Sequence, residues 1–238
     1  MILYYVRHGD PIYTPDSLTE LGIKQADALS KRFQLYGLDE IYSSTSIRAQ
    51  MTAQPTCDLL HKEKTLLDWT NENYVFSEFT VEDEMEGCSW IFQSKKYKAL
   101  FNTSTVQKMG MKWYKDPIFK DLRVKSGMER VGQEADSFLA MLGFKHIREN
   151  GCYKVIQKNS KRIALFAHEA FGKAFLSHVL DIPYPIVSTR MQLGHSSVTV
   201  LYFDENQELV YPQILQWSND SHLYKEHLLT GYQNKLDI

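Results

Sequence analysis

Ile2-Leu3-Tyr4-Tyr5-Val6-Arg7-His8-Gly9-Asp10-Pro11 is the stretch from which the fold can be read. Five apolar, mostly β-branched or aromatic residues run into a cation, an imidazole, a glycine and a proline. That pattern describes a buried strand ending in a loop. Working outward, Ser17-Leu18-Thr19-Glu20 has the form of a capping box at a helix start. Gly22, Ala26, Leu29 and Phe33 then share one helical face, and Gly37 closes the segment. Glu40 to Tyr42 is a short strand, Ser43-Ser44-Thr45-Ser46 a polar turn, and Ala49, Ala53, Cys57 and Leu60 the buried stripe of a second helix. Strand, helix, strand, helix predicts an α/β fold: a three-layer sandwich with a mostly parallel central sheet and helices on both faces.

The region from about Trp69 to Phe119 breaks this rhythm. It holds eleven of the thirty aromatics among acidic and lysine-rich stretches, a composition too aromatic for a linker. An inserted cap at about 73–125, within a single domain spanning 1–238, is the expectation. After Ser126-Gly127, the positions Met128, Val131, Ala135, Phe138 and Leu142 predict an amphipathic helix. Ile163 to Ala167 reads as a strand ending at His168, and Phe171 to Leu180 as a helix stopped by Pro183. Val198 to Phe203 and Leu209 to Tyr211 read as a hairpin at the far edge of the sheet.

Composition bounds the function. The 238 residues suffice for one large α/β domain or two very small ones, and 43% hydrophobic with 24% charged residues excludes a disordered chain. A net charge of −2 gives no reason to expect a nucleic-acid partner. No apolar run approaches membrane-spanning length, and Arg7 and His8 interrupt the N-terminal run before an export signal could form. Cys57, Cys88 and Cys152 are odd in number and lack a Cys-x-x-Cys, so neither a disulfide framework nor a zinc site is signalled. A reducing cytoplasm is the expected compartment.

Phosphate-loop, Gly-x-Ser-x-Gly and His-Glu-x-x-His motifs are absent from the sequence, as are a cysteine followed six positions later by arginine and any Asp-x-Asp. What remains are polar groups at strand ends: Arg7 and His8 after the first strand, Arg48 opening the helix after the second, and His168 after the run 163–167. Ligands of an open parallel sheet bind at its carboxyl edge, where these loops converge. Two guanidiniums and two imidazoles there make a pocket for a dianion, because the arginine fork donates paired hydrogen bonds to phosphate oxygens. A histidine with a free nitrogen can attack phosphorus and divide one displacement into two.

At this point the chain resembles the histidine phosphatase superfamily, also called phosphoglycerate-mutase-like. The matching residues are Arg7-His8-Gly9, Leu18-Thr19-Glu20-Leu21-Gly22-Ile23-Lys24-Gln25-Ala26, Tyr42-Ser43-Ser44 leading to Arg48-Ala49 and Thr52-Ala53, and Phe166-Ala167-His168-Glu169. Ser126-Gly127-Met128-Glu129 is similar to a weakened Gly-Glu-Ser helix start, and Leu193-Gly194-His195-Ser196-Ser197-Val198 to the last core strand. The resemblance implies that His8 forms a phosphohistidine while Arg7, Arg48 and His168 hold the phosphoryl oxygens. It also implies a carboxyl proton donor. Trp69-Thr70-Asn71-Glu72 resembles the mutase branch and points to Glu72; Phe76-Ser77-Glu78 resembles the phosphatase branch and makes Glu78 the rival.

The function expected is a phosphomonoesterase for a small-molecule phosphate ester, with no cofactor and no metal. A phosphoglycerate-mutase-type isomerase and a non-enzymatic phosphate- or phosphoprotein-recognition domain are the alternatives. The residues after Gly9 depart from the Glu-Thr of many relatives, and no Gly-rich stretch follows the acid. The natural substrate and the oligomeric state are open at this point.

Overall fold

A computed structural model describes residues 1–83 and 87–230. The expected insertion at 73–125 and domain at 1–238 include 84–86 and 231–238, which lie outside the described residues. The opening run forms β1 (Ile2–Arg7). It is followed by α1 (Glu20–Tyr36), β2 (Glu40–Ser43), α2 (Ile47–Leu60) and β3 (Lys64–Leu66). The other elements framing the site are α3 (Glu72–Phe79), α4 (Val124–Met141), β4 (Arg162–Ala167), α5 (Glu169–Val179), β5 (Val198–Tyr202) and β6 (Gln213–Asn219).

These strands form one sheet in the order β6-β5-β1-β4-β2-β3. The pairs β1–β4, β4–β2 and β2–β3 are parallel, while β5 joins β1 and β6 antiparallel. Alternate residues of β1 feed two cores, as the two-residue period of a strand requires. Tyr4 and Val6 pack with Leu29 and Phe33 of α1 and Ala53 and Cys57 of α2. Leu3 and Tyr5 pack with Val131 and Phe138 of α4 and Phe171 and Phe175 of α5. The predicted three-layer α/β sandwich is the observed architecture.

Between residues 67 and 161, no described residue joins this sheet. That stretch holds α3, a hairpin pairing Thr80–Asp83 with Gly87–Trp90, and short helical turns whose aromatics extend the core on the α4–α5 face of the sheet. Trp113 is fully buried there, with its ring centroid 5.1 Å from those of Phe101 and Phe119 and 5.5 Å from that of Tyr184.

Several local expectations are corrected. The first helix is capped by Thr19, whose side chain accepts from Gly22 N at 3.0 Å, and not by Ser17, which lies in the short strand Asp16–Leu18. The helix expected after Gly127 begins at Val124. Gly127 is interior because α3 crosses there: a Cβ on it would stand 2.4 Å from Phe79 Cε2 and 2.9 Å from Glu78 Cβ. Packing thus overrides the weak helix propensity of a Ser-Gly pair. The expected edge hairpin is also replaced. Leu209–Val210 pair with Cys152–Val155 in a separate three-stranded sheet, and β5 is flanked on both sides by β1 and β6. Phe203 draws the chain that way by packing on Phe144 and Tyr153, with ring centroids 5.1 and 5.5 Å apart.

Candidate active site

The parallel register brings the strand ends together. Arg7 of β1 lies opposite Ala167 of β4, and Phe166 lies opposite Ser43 of β2. One residue further on each strand come His8, His168 and Ser44. Backbone bonds lace these ends, with His8 N donating to Ala167 O at 3.0 Å and Ser44 N to Phe166 O at 2.8 Å. Arg48 reaches the same edge from the first turn of α2.

His8 is 3% exposed, and its Nδ1 lies 2.7 Å from the Gly9 carbonyl oxygen. A carbonyl only accepts, so Nδ1 carries the ring proton and Nε2 keeps its lone pair. Burial, helped by His168, Arg7 and Arg48, holds the His8 pKa well below the usual imidazole range, so the ring is neutral at neutral pH. His168 is fully buried behind it, ring centroids 5.2 Å apart. Arg48 Nη2 donates to His168 Nδ1 at 3.2 Å, and Nε2–H donates to Ser44 Oγ at 2.9 Å, with Ser46 Oγ at 3.1 Å. Burial and the two arginines keep this ring neutral as well.

Each arginine is held by a carboxylate. Arg7 Nη1 pairs with Glu169 at 2.9 Å and donates to Leu193 O at 2.6 Å. Arg48 Nη1 pairs with Asp16 at 2.8 Å. The Nε–H of both guanidiniums is buried and has no acceptor among the described residues. Buried donors left without an acceptor are rare in folded proteins.

Glu72, the first residue of α3, accepts from Ala170 N through Oε1 at 3.1 Å. Its Oε2 lies 3.4 Å from His168 Nδ1, whose lone pair already faces Arg48, and it has no donor among the described residues. Glu78 is placed differently. Both its oxygens are taken by Arg130, at 2.8 Å from Nε and 2.7 Å from Nη2. Arg7, His8, Arg48 and Glu72 line one cavity of about 790 Å³, with His168 directly behind it. The five expected site residues are therefore brought together, and Glu78 is not among the residues lining that cavity.

Gly9 acts otherwise than its position beside the histidine suggests. A Cβ there would stand 2.7 Å from the Gly22 carbonyl oxygen, so the close approach is to α1 and not to a ligand. His222 is buried and meets Ser196 Oγ at 3.0 Å. Asp136, His146 and His178 bring ligand atoms within 4.8 Å of one another, although the histidines stand 10 and 42 positions from the aspartate. Each histidine meets the same carboxylate oxygen, Asp136 Oδ1, at 2.8 Å from His146 Nδ1 and 2.7 Å from His178 Nε2. His178 lies ten residues along α5 from His168, about 15 Å away along the helix.

Several residues around the site escape a sequence reading. Asp16 and Glu169 hold the arginines, and Lys173 pairs with Glu169 at 2.9 Å. His195 accepts from Arg7, and Phe76, Trp90 and Phe92 wall the outer cavity. Glu169 and Lys173 carry a visible signal in their four-residue helical spacing. His195 stands in the matched stretch Leu193–Val198, and the others lie on separate elements and carry no signal.

A mostly parallel α/β sheet with two neutral histidines and two buried arginines at its carboxyl edge has the makings of a phosphoryl-binding centre. Residues 3–86 match the model of the histidine phosphatase superfamily (branch 1). The resemblance read from the motifs is thus found independently over the N-terminal part of the chain. No curated protein matches the chain significantly. Among solved structures, phosphoserine phosphatase from Entamoeba histolytica, in complex with 3-phosphoglyceric acid, superposes with a TM-score of 0.59 at 21% identity, covering 93% of this chain and 98% of that one. A mycobacterial glucosyl-3-phosphoglycerate phosphatase complexed with VO3 gives a TM-score of 0.57 at 18% identity, covering 91% and 98%. At these identities the likeness is one of fold. Among the described residues, no helix is long and apolar enough to cross a membrane.

Proposed function

We propose that the chain is a phosphomonoesterase that works without a metal ion and transfers the phosphoryl group of a small phosphate ester to His8. One observation carries the reading: Nδ1 of His8 is committed to the Gly9 carbonyl, so the Nε2 lone pair is free, in a pocket where two buried guanidiniums have uncommitted Nε–H groups. The ester dianion is held by Arg7 and Arg48, and His168, accepting from Arg48 Nη2, fixes that guanidinium in place, so these charges stabilise the transition state without reorganising. Nε2 attacks phosphorus, the P–O ester bond breaks, and the departing oxygen takes a proton from Glu72. Glu72 then accepts a proton from water as its oxygen attacks phosphorus, the P–N bond breaks, and inorganic phosphate leaves with His8 restored. Metal-free chemistry is favoured because Asp16 and Glu169, the other carboxylates of the pocket, already pair with Arg48, Arg7 and Lys173.

In this reading the segment 73–125 is a cap on a single domain, since Asn73, Phe76, Trp90, Phe92 and Gln93 line the cavity over the sheet edge. The fold neighbours that bear phosphatase names favour hydrolysis over isomerisation. The free thiols of Cys57, Cys88 and Cys152 suit a reducing cytoplasm. Hydrolysis of an aryl phosphate should persist in excess chelator, and His8→Ala should abolish it. Activity lost to the chelator, or retained in His8→Ala, overturns the proposal.

A further inference from the structure

Outside the phosphoryl-binding end, the cavity is built of uncharged groups. Phe76 of α3 and Trp90 of the hairpin meet edge to face, ring centroids 5.3 Å apart and planes at 86°. Phe92 stacks on Trp90 at 5.8 Å and 18°. Phe76 is 49% exposed and, with Trp90 and Phe92, presents a contiguous apolar wall to the cavity. The polar lining nearby is Asn71, Asn73 and Gln93, amides that match hydroxyls and carry no charge.

The charge balance is equally one-sided. Among the described lining residues, the cations are Arg7 and Arg48, and the carboxylates are Asp16, Glu72 and Glu169. A nearby further cation, Lys173, lies behind the Phe92 ring, 4.0 Å from its centroid, and is bound to Glu169. Once a phosphoryl group occupies both guanidiniums, a carboxylate elsewhere on the substrate would meet no further cation among the described lining residues. Its desolvation would go uncompensated.

We infer that the site selects phosphate monoesters of uncharged alcohols that present a flat apolar face to Phe76 and Trp90, and disfavours esters bearing a second acid group. The inference rests on the phosphatase reading for its kinetics but not for its binding preference. It separates this chain from its fold neighbours, whose names carry phosphoserine and phosphoglycerate.

The test compares kcat/KM of the full chain for three alkyl esters: 2-phenylethyl phosphate, glycerol 2-phosphate and 3-phosphoglycerate. In parallel, titration calorimetry compares the non-hydrolysable 2-phenylethylphosphonate with 3-phosphonopropionate. The phenyl ester should exceed phosphoglycerate at least tenfold, and the phenyl phosphonate should bind at least tenfold tighter than its carboxylate counterpart. Phe76→Ala should shrink both ratios, and Phe76→Arg, at an exposed position that tolerates charge, should invert them. Equal or reversed ratios in the wild-type chain overturn the inference. Discriminating phosphonate binding with no turnover of any ester would sustain it while removing the phosphatase reading.

Discussion

Arg7 and His195 are joined by a 2.7 Å contact in which the guanidinium Nη2 donates and the imidazole Nε2 accepts. That role requires a neutral ring with its proton on Nδ1, which faces Asp10 Oδ1 at 3.2 Å. Burial and Arg7 together lower the His195 pKa to about 4, so the ring stays an acceptor at neutral pH. His195 therefore positions Arg7 and is not among the residues lining the cavity. His195→Ala should lower kcat/KM by roughly tenfold or more, the worth of a hydrogen bond to a charged group. His195→Gln, whose amide oxygen can accept, should recover part of the loss. Since the ring is harder to protonate folded than unfolded, its contribution is present above the unfolded pKa near 6.5 and is lost as pH falls toward about 4. Indifference of kcat/KM to both substitutions counts against this role.

The two candidate proton donors are separated by leaving-group dependence. Glu72 faces the cavity with Oε2 uncommitted, whereas Glu78 is clasped by Arg130. Glu72→Gln should reduce kcat for an alkyl phosphate by roughly 10²–10⁴ and do far less for p-nitrophenyl phosphate, whose departing oxygen needs no proton. Glu78→Gln should leave the alkyl-ester rate near wild type and cost about 1–2 kcal/mol of stability by breaking a partly buried pair. The opposite pattern would transfer the role to Glu78.

Gly22 links the helix start to the His8–Asp10 loop. A Cβ there would lie 2.2 Å from the Asp10 carbonyl oxygen and 3.0 Å from its amide nitrogen, both backbone atoms that cannot swing aside. Gly22→Ala should therefore destabilise by about 1–3 kcal/mol and push the His8–Asp10 loop out of place. A combined fall in Tm and kcat checks this. An unchanged Tm would mean that the loop is softer than its contacts imply.

The sheet and the cluster of polar residues at its carboxyl edge were legible because both rest on local signals. The apolar run at residues 2–6 and its counterpart at 163–167 announce parallel strands, and the polar residues just beyond them fall at one edge once those strands pair in register. Local signals failed where the deciding partner was distant in the chain. Ser126-Gly127 reads as a helix start only until Phe79 is seen to need the bare Cα of Gly127. Residues 198–211 read as a hairpin until Cys152–Val155 competes for Leu209 and Val210. Asp16, 32 positions from Arg48, was hidden for the same reason, as was the aromatic wall, whose residues have the composition of core.

Remote from the catalytic edge, His146 is held between two carboxylates, Nδ1 2.8 Å from Asp136 Oδ1 and Nε2 2.8 Å from Asp181 Oδ2. Both nitrogens then act as donors, which only the imidazolium can do. Burial opposes the charge, but the hydrogen bonds to Asp136 and Asp181 outweigh it and carry the pKa up to about 9. Around the ring stand His178 and Arg148, which share Asp136 with it, and Tyr153, stacked on it at 4.4 Å. The same partners, His146 and His178 first, hold the Asp136 carboxyl well below its ordinary range against the opposing effect of burial. Because the folded pKa of His146 lies above the unfolded value near 6.5, its stabilisation is complete below that pH and lost as pH rises through about 9. Asp136 works in the other sense: its contribution is present above about 4 and lost in acid. Tm should therefore be highest between about pH 4.5 and 6.5 and decline by a few degrees toward pH 9, provided other groups are matched by a control. His146→Gln, which can pair with one carboxylate as donor but cannot become a cation, supplies that control. Its Tm should be lower at pH 6 and should lose the alkaline decline, and parallel Tm curves for the two proteins between pH 6 and 9 would refute a charged His146.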